Sequence, residues 1–417
     1  MGIESDYNYT PQIYRRIVFA AAQGVSFREA SEALRELSEL NLSAKRIWRA
    51  TKRIGEERVE ECRQAATRYE ELPLPAQREN PTAQVHQVVS VSMDGGRYQA
   101  RERTPAEMPQ SELDGSEQGQ PVASADSCWR EYKAGLLLSM TSQTHAEDPC
   151  PELPATFAHA KKMRTIAREI KGFTSEAPVS SKVEEEAPVD FKERPGRPET
   201  LVKSVVATSG DVEAFGPLLA GAAYARGFHA ALRKAFLGDG SSTIWGVWRK
   251  FFSHYTPILD FVHALMYVYA AAMIGRNERE GWRDYRRWAQ WLWGGEVALL
   301  LAALQARQDD LGLPEKGETG TARAQVATSL GYLTNQRERM NYPEYRKQGL
   351  PITTAAMEST IKQINRRIKG SDKFWDDGVE PMLRLVADRL SQTTATAKFW
   401  DQRLRQLIRS ASYQQAA

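Results

Sequence analysis

Four carboxylates in separate parts of the chain have the positions expected of a site for divalent metal ions. Three of them, Asp94, Asp239 and Asp260, each follow a short apolar segment with the pattern of a β-strand. The fourth, Glu358, lies in an amphipathic segment much later in the chain. Carboxylate oxygens are the ligands that Mg²⁺ prefers, and two such ions can promote reactions at a phosphodiester. The sequence alone does not show that these strands are neighbours, and each Asp-Gly pair taken singly is more simply a turn.

The segment that contains Glu358 is predicted to be one amphipathic helix. Its apolar residues recur at the spacing of a face that packs on a core: Met357, Ile361, Ile364 and Ile368. About 100° around the same helix lies a polar stripe, formed by Glu358, Lys362, Asn365 and Lys369. Gly370 is expected to end the helix in a left-handed cap. Taken alone, the pattern is also that of a surface helix with a solvated charged face.

Residues 10–70 are predicted to form three helices that resemble a helix-turn-helix unit. Thr10-Pro11 has the residue types of an N-cap followed by a first helical proline. Ser26 and Glu29 form a capping box before the second helix, and Ser43 caps the third. Residues 71–84 are rich in proline and are expected to be a linker to the next domain.

The start of the third helix is strongly basic. It carries five positive side chains and no acid in nine positions: Lys45, Arg46, Arg49, Lys52 and Arg53. Such a cluster is expected of a helix that contacts DNA phosphates or lies in the major groove. The alternative is an ordinary three-helix bundle with one charged face.

The middle of the chain is predicted to form a β-sheet with helices between its strands. The segment from Val85 to Met93 is apolar on both sides, which is typical of a central strand, and Asp94 ends it. Further strands are predicted at residues 129–140, 201–209, 235–237 and 255–259. A flexible insertion is expected at about 141–200, because residues 173–199 are poor in apolar side chains. Residues 264–346 have a helical pattern, and their core is expected to contain Trp282, Trp288, Trp291 and Trp293.

Composition limits the class of protein. The chain has 417 residues, enough for two or three domains, and its net charge is only +3, so any basic surface must be local. Three cysteines without metal-binding spacing favour a reducing cytosol over a disulfide framework. No apolar run reaches the ~20 residues of a membrane span, and the N-terminus lacks a signal-peptide pattern. We therefore expect a soluble, intracellular protein with no membrane partner.

Four motifs in order along the chain carry a family resemblance: SMDGGR, GDGSSTIW, ILDFVH and AAMESTIKQINRRIKGSDKFW. Together they resemble the DDE transposases of bacterial insertion sequences, and more closely the ISKra-type group related to Mutator-like elements. The resemblance extends over about residues 85–392, and the last motif is the most specific. It implies an α/β fold in which an RNase H-like mixed sheet is flanked by helices and interrupted by an all-α insertion. A helix-turn-helix domain would precede this core.

The resemblance also implies a set of site residues. Asp94, Asp239 and Glu358 would be catalytic and would hold two Mg²⁺ or Mn²⁺ ions. Asp260 and His263 resemble the Asp-x-x-His pair that accompanies the triad in Mutator-like enzymes. In one respect the chain departs from the family, because Ile352–Ala356 replaces the Gly-Ser-Gly type of turn that many relatives have before the glutamate.

The resemblance divides the chain into five parts. These are a DNA-binding domain at 1–76, a first core segment at 85–263, a helical insertion at 264–346, final core helices at 347–392 and a basic tail at 393–417. The expected partner is double-stranded DNA, both the terminal inverted repeats of the element and the target. Backbone contacts to it are expected from Arg366, Arg367, Lys369 and Lys373. The protein would act in the cytoplasm on the nucleoid, and would form a homo-oligomer when assembled on DNA.

Two alternatives have different functions. A non-catalytic, domesticated DNA-binding relative is disfavoured because all four acids are present. An RNase H-like nuclease that acts on branched DNA or hybrids is disfavoured by the helix-turn-helix, since a structure-selective nuclease needs no sequence reader.

Overall fold

A mixed β-sheet forms the centre of the protein. The computed structural model describes residues 9–79, 81–82, 84–101, 129–171, 196–370 and 374–416. Five strands pair in the order β3-β2-β1-β4-β5: β1 (Val88–Arg101), β2 (Trp129–Thr141), β3 (Glu199–Thr208), β4 (Arg233–Gly238) and β5 (Thr256–Leu259). β2 is antiparallel to β1 and β3, whereas β1, β4 and β5 are parallel to one another. A two-residue strand, β6 (Phe374–Trp375), pairs with the far end of β1.

β1 is the central strand, as its apolar pattern predicts. Val88, Val89 and Val91 have no exposed surface. The strand does not end at Asp94, however, because its antiparallel pairing with β2 continues for several residues beyond Asp94↔Ala134. The expectation that Asp94 stands at a strand tip is therefore wrong: only the parallel pairing with β4 stops before it.

Helices cover both faces of the sheet. In chain order they are α1 (Pro11–Gln23), α2 (Phe27–Ser38), α3 (Ala44–Glu70), α4 (Ala160–Lys171), α5 (Val212–Ala225), α6 (Ser242–Phe251), α7 (Phe261–Met273), α8 (Glu278–Trp293), α9 (Val297–Leu311), α10 (Ala322–Gln336), α11 (Tyr342–Lys347), α12 (Ala355–Ile368), α13 (Asp376–Leu390) and α14 (Ala395–Ala416). Leu219 of α5 lies against Gly135 of β2, whereas Asn365 of α12 accepts a hydrogen bond from Tyr132. Residues three apart on a strand point to opposite faces, so α5 and α12 lie on opposite sides of the sheet.

The first three helices begin at the predicted caps. The Thr10 hydroxyl accepts from the backbone N–H of Ile13, and the Ser26 hydroxyl accepts from that of Glu29. Ser43 caps α3 in the same way. These caps satisfy N–H groups that have no partner within the first turn of a helix.

α3 packs along the rest of the protein for most of its length. Its neighbours are α13 and α5 as well as α1 and α2. A Cβ atom on Gly55 would lie 2.5 Å from Pro381, so glycine is needed at this close contact between α3 and α13. Farther along α3, the buried Arg58 forms a salt bridge with Asp388 of α13 at 2.8 Å. The expected boundary at residue 76 therefore does not separate two independently packed units.

Residues 264–346 are mainly helical, as predicted, with breaks between helices at 274–277, 294–296 and 312–321. Trp288 and Trp293 are buried, as expected of core residues, whereas Trp282 and Trp291 are half-buried at its edge. Within the part of the chain that the structure describes, no helix combines the length and the apolar character needed to cross a membrane.

Several other expectations are adjusted by the structure. In the proposed insertion at 141–200, residues 155–158 form a 3₁₀ turn and α4 follows, while 172–195 lie outside the described residues. The expected basic tail contains the helix α14, and Arg403 of α14 forms a salt bridge with Glu57 of α3. Gly370 does not have a left-handed conformation. It is needed for another reason, because a Cβ there would lie 2.4 Å from the carbonyl oxygen of Val25.

Candidate functional site

Three aspartates lie at one level across the parallel part of the sheet. The last residues of β1 and β4 paired in register are Ser92 and Leu237, and Asp94 and Asp239 each lie two positions beyond them. Likewise, Gly238 pairs with Leu259, and the next residues are Asp239 and Asp260. Neighbouring strands are about 4.8 Å apart, so this register places the three aspartates together where the parallel pairing of β1, β4 and β5 ends.

Asp260 uses its carboxylate to hold two other parts of the site. Its Oδ2 accepts hydrogen bonds from the backbone N–H of His263 at 2.8 Å and from its ring Nδ1 at 2.7 Å. Its Oδ1 accepts from the backbone N–H of Thr354 at 2.6 Å. The Asp260 residue is fully buried. It caps α7, fixes the His263 ring with Nε2 directed away from the carboxylate, and ties α7 to the start of α12.

Glu358 approaches the same end of the sheet from α12. The predicted apolar face of this helix is buried, and Met357 and Ile364 are at most 1% exposed. The segment before the helix is fixed by Asp260 and by a bond of 2.9 Å from the Phe261 N–H to the carbonyl oxygen of Ile352. Glu358 is half-buried and lies beside this apolar face, in the first turn of α12. Its position is set by the contacts that fix the start of the helix.

The pKa values of Asp94, Glu358 and His263 are all raised in this site. Burial raises the pKa of Asp94, and the charge of Asp239 raises it further. Burial also raises the pKa of Glu358, with contributions from the charges of Asp260 and Asp94. Burial alone would lower the pKa of His263, but the hydrogen bond and charge of Asp260, with the charges of Asp239 and Glu358, raise it. The site is thus a concentration of negative charge that favours a bound cation.

One subset of these side chains already has metal-ligand spacing. The potential ligand atoms of Asp260, His263 and Glu358 all lie within 4.8 Å of one another. Asp94 and Asp239 are not in this subset, although each acts electrostatically on it. Since both oxygens of Asp260 already accept hydrogen bonds, metal binding through Asp260 would cost contacts that hold His263 and Thr354. Among the acids here, Asp94, Asp239 and Glu358 are the better donors on this ground.

Two residues of α10 contact the Asp239 loop, and no sequence motif predicts them. Tyr332 donates its hydroxyl hydrogen to the carbonyl oxygen of Asp239. Gln336 donates from Nε2 to the carbonyl oxygen of Gly240 at 3.0 Å. The two are four residues apart on α10, a spacing that places both on one face and that could have suggested a shared contact.

The basic residues predicted on α3 divide into two groups. Lys45, Arg46 and Arg49 are exposed, and none forms a salt bridge with another described residue. Lys52 and Arg53 are half-buried: Lys52 pairs with Asp377 at 2.5 Å, and Arg53 lies 3.5 Å from an acid one turn later. The first group leaves three positive charges available to a polyanion, whereas the second contributes to packing.

The basic residues of α12 divide in the same way. Arg366 and Lys369 are exposed, and Lys373 lies outside the described residues. Arg367, expected to contact DNA, is only 2% exposed. Its guanidinium donates to the carbonyl oxygens of Ala21 at 2.8 Å and Val25 at 3.4 Å. The expectation for Arg367 is thus corrected: it joins α12 to the junction of α1 and α2.

No protein-family model matches this chain, and no curated protein shows significant similarity to it. Its function is therefore inferred from the geometry of the site together with the resemblance of its motifs.

Proposed function

We propose that this protein is a DDE-type DNA transposase that cleaves and transfers the ends of its own insertion element. The observation that carries the proposal is the convergence of three carboxylates from distant parts of the chain. Asp94 of β1 and Asp239 after β4 lie at one level of neighbouring parallel strands. The charge of Asp94 also raises the pKa of Glu358 of α12. The resemblance implies an RNase H-like core with acids on its first and fourth strands and a glutamate on a late helix, and the places of Asp94, Asp239 and Glu358 along the chain fit that expectation.

The donor set fits divalent magnesium or manganese. It consists of carboxylate oxygens, and the pKa values of Asp94 and Glu358 are raised partly by repulsion between the acids, which a cation would relieve. Two Mg²⁺ ions held by Asp94, Asp239 and Glu358 would activate the attacking hydroxyl or water and stabilise the leaving oxygen at a phosphodiester.

The remaining residues of the site have supporting roles in this proposal. Asp260 keeps the start of α12 in place through Thr354, and so keeps Glu358 beside Asp260 and His263. His263, held by Asp260 and with a raised pKa, presents a positive or hydrogen-bonding ring edge beside the acids. Such an edge suits the negative charge of a DNA phosphate.

Activity is tested with DNA that carries the element's inverted repeats. We expect Mg²⁺-dependent excision or strand transfer to fall by about 100-fold or more in Asp94→Asn, Asp239→Asn and Glu358→Gln. Glu32→Gln, which changes an exposed helical glutamate far along the chain from these acids, should keep wild-type activity. Wild-type rates in either Asp94→Asn or Glu358→Gln would show that these acids do not form the catalytic centre.

DNA binding is tested separately through the three exposed basic residues at the start of α3. Changing Lys45, Arg46 and Arg49 to glutamine should weaken binding and lower the salt dependence of log K by roughly 0.9 for each phosphate that α3 no longer neutralises. Arg28→Gln, which removes an exposed charge on α2, is the matched control. An unchanged slope would exclude the start of α3 from the DNA interface. Point substitutions are preferred to deletion of residues 1–76, because α3 covers α13 and α5.

A second candidate is a nuclease that uses the same acids on branched DNA or hybrids. One observation favours it: beyond its basic start, α3 packs on α13 and α5 instead of forming a detached reading domain. Rates of cleavage on terminal-repeat DNA and on a branched junction of equal length distinguish the two, since a transposase requires its own ends.

A further inference from the structure

The loop that carries Asp239 is held by α10 through its backbone. Tyr332 and Gln336 donate hydrogen bonds to the carbonyl oxygens of Asp239 and Gly240, which are consecutive residues. Gly240 has a φ of 96°, and a Cβ there would lie 2.6 Å from the Tyr332 ring. A left-handed residue packed this closely requires glycine. The loop therefore fits directly against the α10 surface.

The Tyr332 side chain is itself held in place. Its ring stacks on Tyr267 of α7, with centroids 3.6 Å apart and planes 18° from parallel. Tyr267 lies one helical turn after His263, in the helix that Asp260 caps. Gln336 is 6% exposed, so its amide has little access to competing water. The Tyr332 ring is thus held by stacking, and the Gln336 amide is shielded from solvent.

We infer that Tyr332 and Gln336 are positioning residues that set the affinity of the Asp239 carboxylate for a divalent metal ion. The inference rests on the proposed function, in which Asp239 is a metal ligand. Asp239 Oδ1 accepts from the backbone N–H of Ser241 at 2.9 Å, so the direction of the carboxylate depends on the backbone of this same loop. A metal ligand must be held to about 0.5 Å for productive geometry. Two bonds to successive carbonyls supply that restraint from the helical insertion.

Manganese binding measured by calorimetry tests the inference without requiring activity. The variants are Tyr332→Phe, which keeps the stacked ring, and Gln336→Leu. Each removes one hydrogen bond, so we expect Mn²⁺ to bind about 3- to 10-fold more weakly. The matched control is Tyr285→Phe, which removes a hydroxyl that donates to the carbonyl oxygen of Phe157 at 2.7 Å in the same helical region. It should leave Mn²⁺ affinity unchanged, although it too loses a buried hydrogen bond.

Amide hydrogen exchange at Ser241, measured without metal, supplies a second readout. We expect exchange at this N–H to quicken in Tyr332→Phe and Gln336→Leu and to stay at the wild-type rate in Tyr285→Phe. Wild-type Mn²⁺ affinity in both loop variants would overturn the inference, even if exchange changed. If the wild-type protein and Asp239→Asn bound Mn²⁺ equally, Asp239 would not be a ligand. The proposed function would then fail together with this inference, an outcome distinct from the first.

Discussion

A buried ion cluster joins α3 to α13, and its removal gives a sharp test of how the N-terminal helices are attached. The carboxylate of Asp388 accepts from Arg58 at 2.8 and 3.1 Å and from Arg384 at 2.6 Å. The side chains of all three are at most 9% exposed. Asp388→Ala would leave the buried Arg384 guanidinium without the carboxylate that it binds, and would leave Arg58 with only the exposed Glu61 as an acidic partner.

Removing one partner of a buried ion pair typically costs about 3–5 kcal/mol, because the charge left behind is desolvated. That is a large share of the ~5–15 kcal/mol that stabilises a domain. For a chain of 417 residues, whose unfolding entropy is about 0.9 kcal/mol/K, the loss corresponds to a fall in Tm of about 3–6 °C. Replacing the whole cluster by apolar residues (Arg58→Met, Arg384→Met and Asp388→Leu together) should recover most of the loss, since no buried charge then remains. Glu32→Ala breaks an exposed ion pair with Arg28 and should cost less than about 0.5 kcal/mol.

Urea unfolding of these variants measures the free energies directly, and pH adds a further check. Burial would raise the pKa of Asp388, but the charges of Arg384 and Arg58 lower it below its ordinary value. A carboxylate with a lowered folded-state pKa stabilises the protein above its ordinary pKa, and this stability is lost as the pH falls through the folded-state value. The difference between wild type and Asp388→Ala should therefore shrink below about pH 4. A loss under 1 kcal/mol for Asp388→Ala, or a triple variant no more stable than it, would refute this picture of α3.

Two further predictions concern α12. In metal-free buffer Glu358→Gln should be more stable than wild type at pH 7 but not at pH 4. The reason is that the folded-state pKa of Glu358 is raised, so the wild-type protein loses stability as the pH rises through that pKa. Urea unfolding at both pH values checks this, and an advantage of Glu358→Gln that does not depend on pH would contradict it. Gly370→Ala should cost about 1–3 kcal/mol in thermal unfolding through its clash with Val25. The control is Gly246→Ala in α6, where an added Cβ would meet no atom within 4 Å outside the local helix backbone; it should instead stabilise by up to ~1 kcal/mol. A Gly370→Ala variant as stable as wild type would show that the close approach to Val25 does not require glycine.

The sequence correctly predicted features that depend on residues close together in the chain, such as helix caps and the apolar pattern of a strand. Thr10, Ser26 and Ser43 cap helices as expected, because the bond to the backbone N–H three residues later forms within one turn. The central place of β1 followed from valines on both of its faces. The sequence also predicted that Asp239 and Asp260 each follow a strand. That these two strands are neighbours is known only from their pairing in the structure.

Contacts between distant segments could not be predicted in this way. The length of β1 beyond Asp94 depends on β2, whose residues pair with it up to Gln99↔Trp129. Packing of α3 on α13 depends on Gly55 meeting Pro381, and nothing near either residue in the sequence indicates the other. Arg367 is different, since it lies three residues after the buried Ile364 and so on the inner face of the helix. The positive charge of Arg367 suggested a contact with DNA, whereas its spacing from Ile364 indicated that the side chain is buried.

Arg367 also links two features that lie far apart in the sequence. It lies nine residues after Glu358 on one continuous helix, a rise of about 14 Å. At the far end, Arg367 and the close contact at Gly370 fix the junction of α1 and α2, while α3 is fixed by Asp388. The basic start of α3 is therefore held relative to the carboxylates by packing and not by a linker. If that start binds DNA, the distance between the bound sequence and the phosphodiester that reacts is set by the fold.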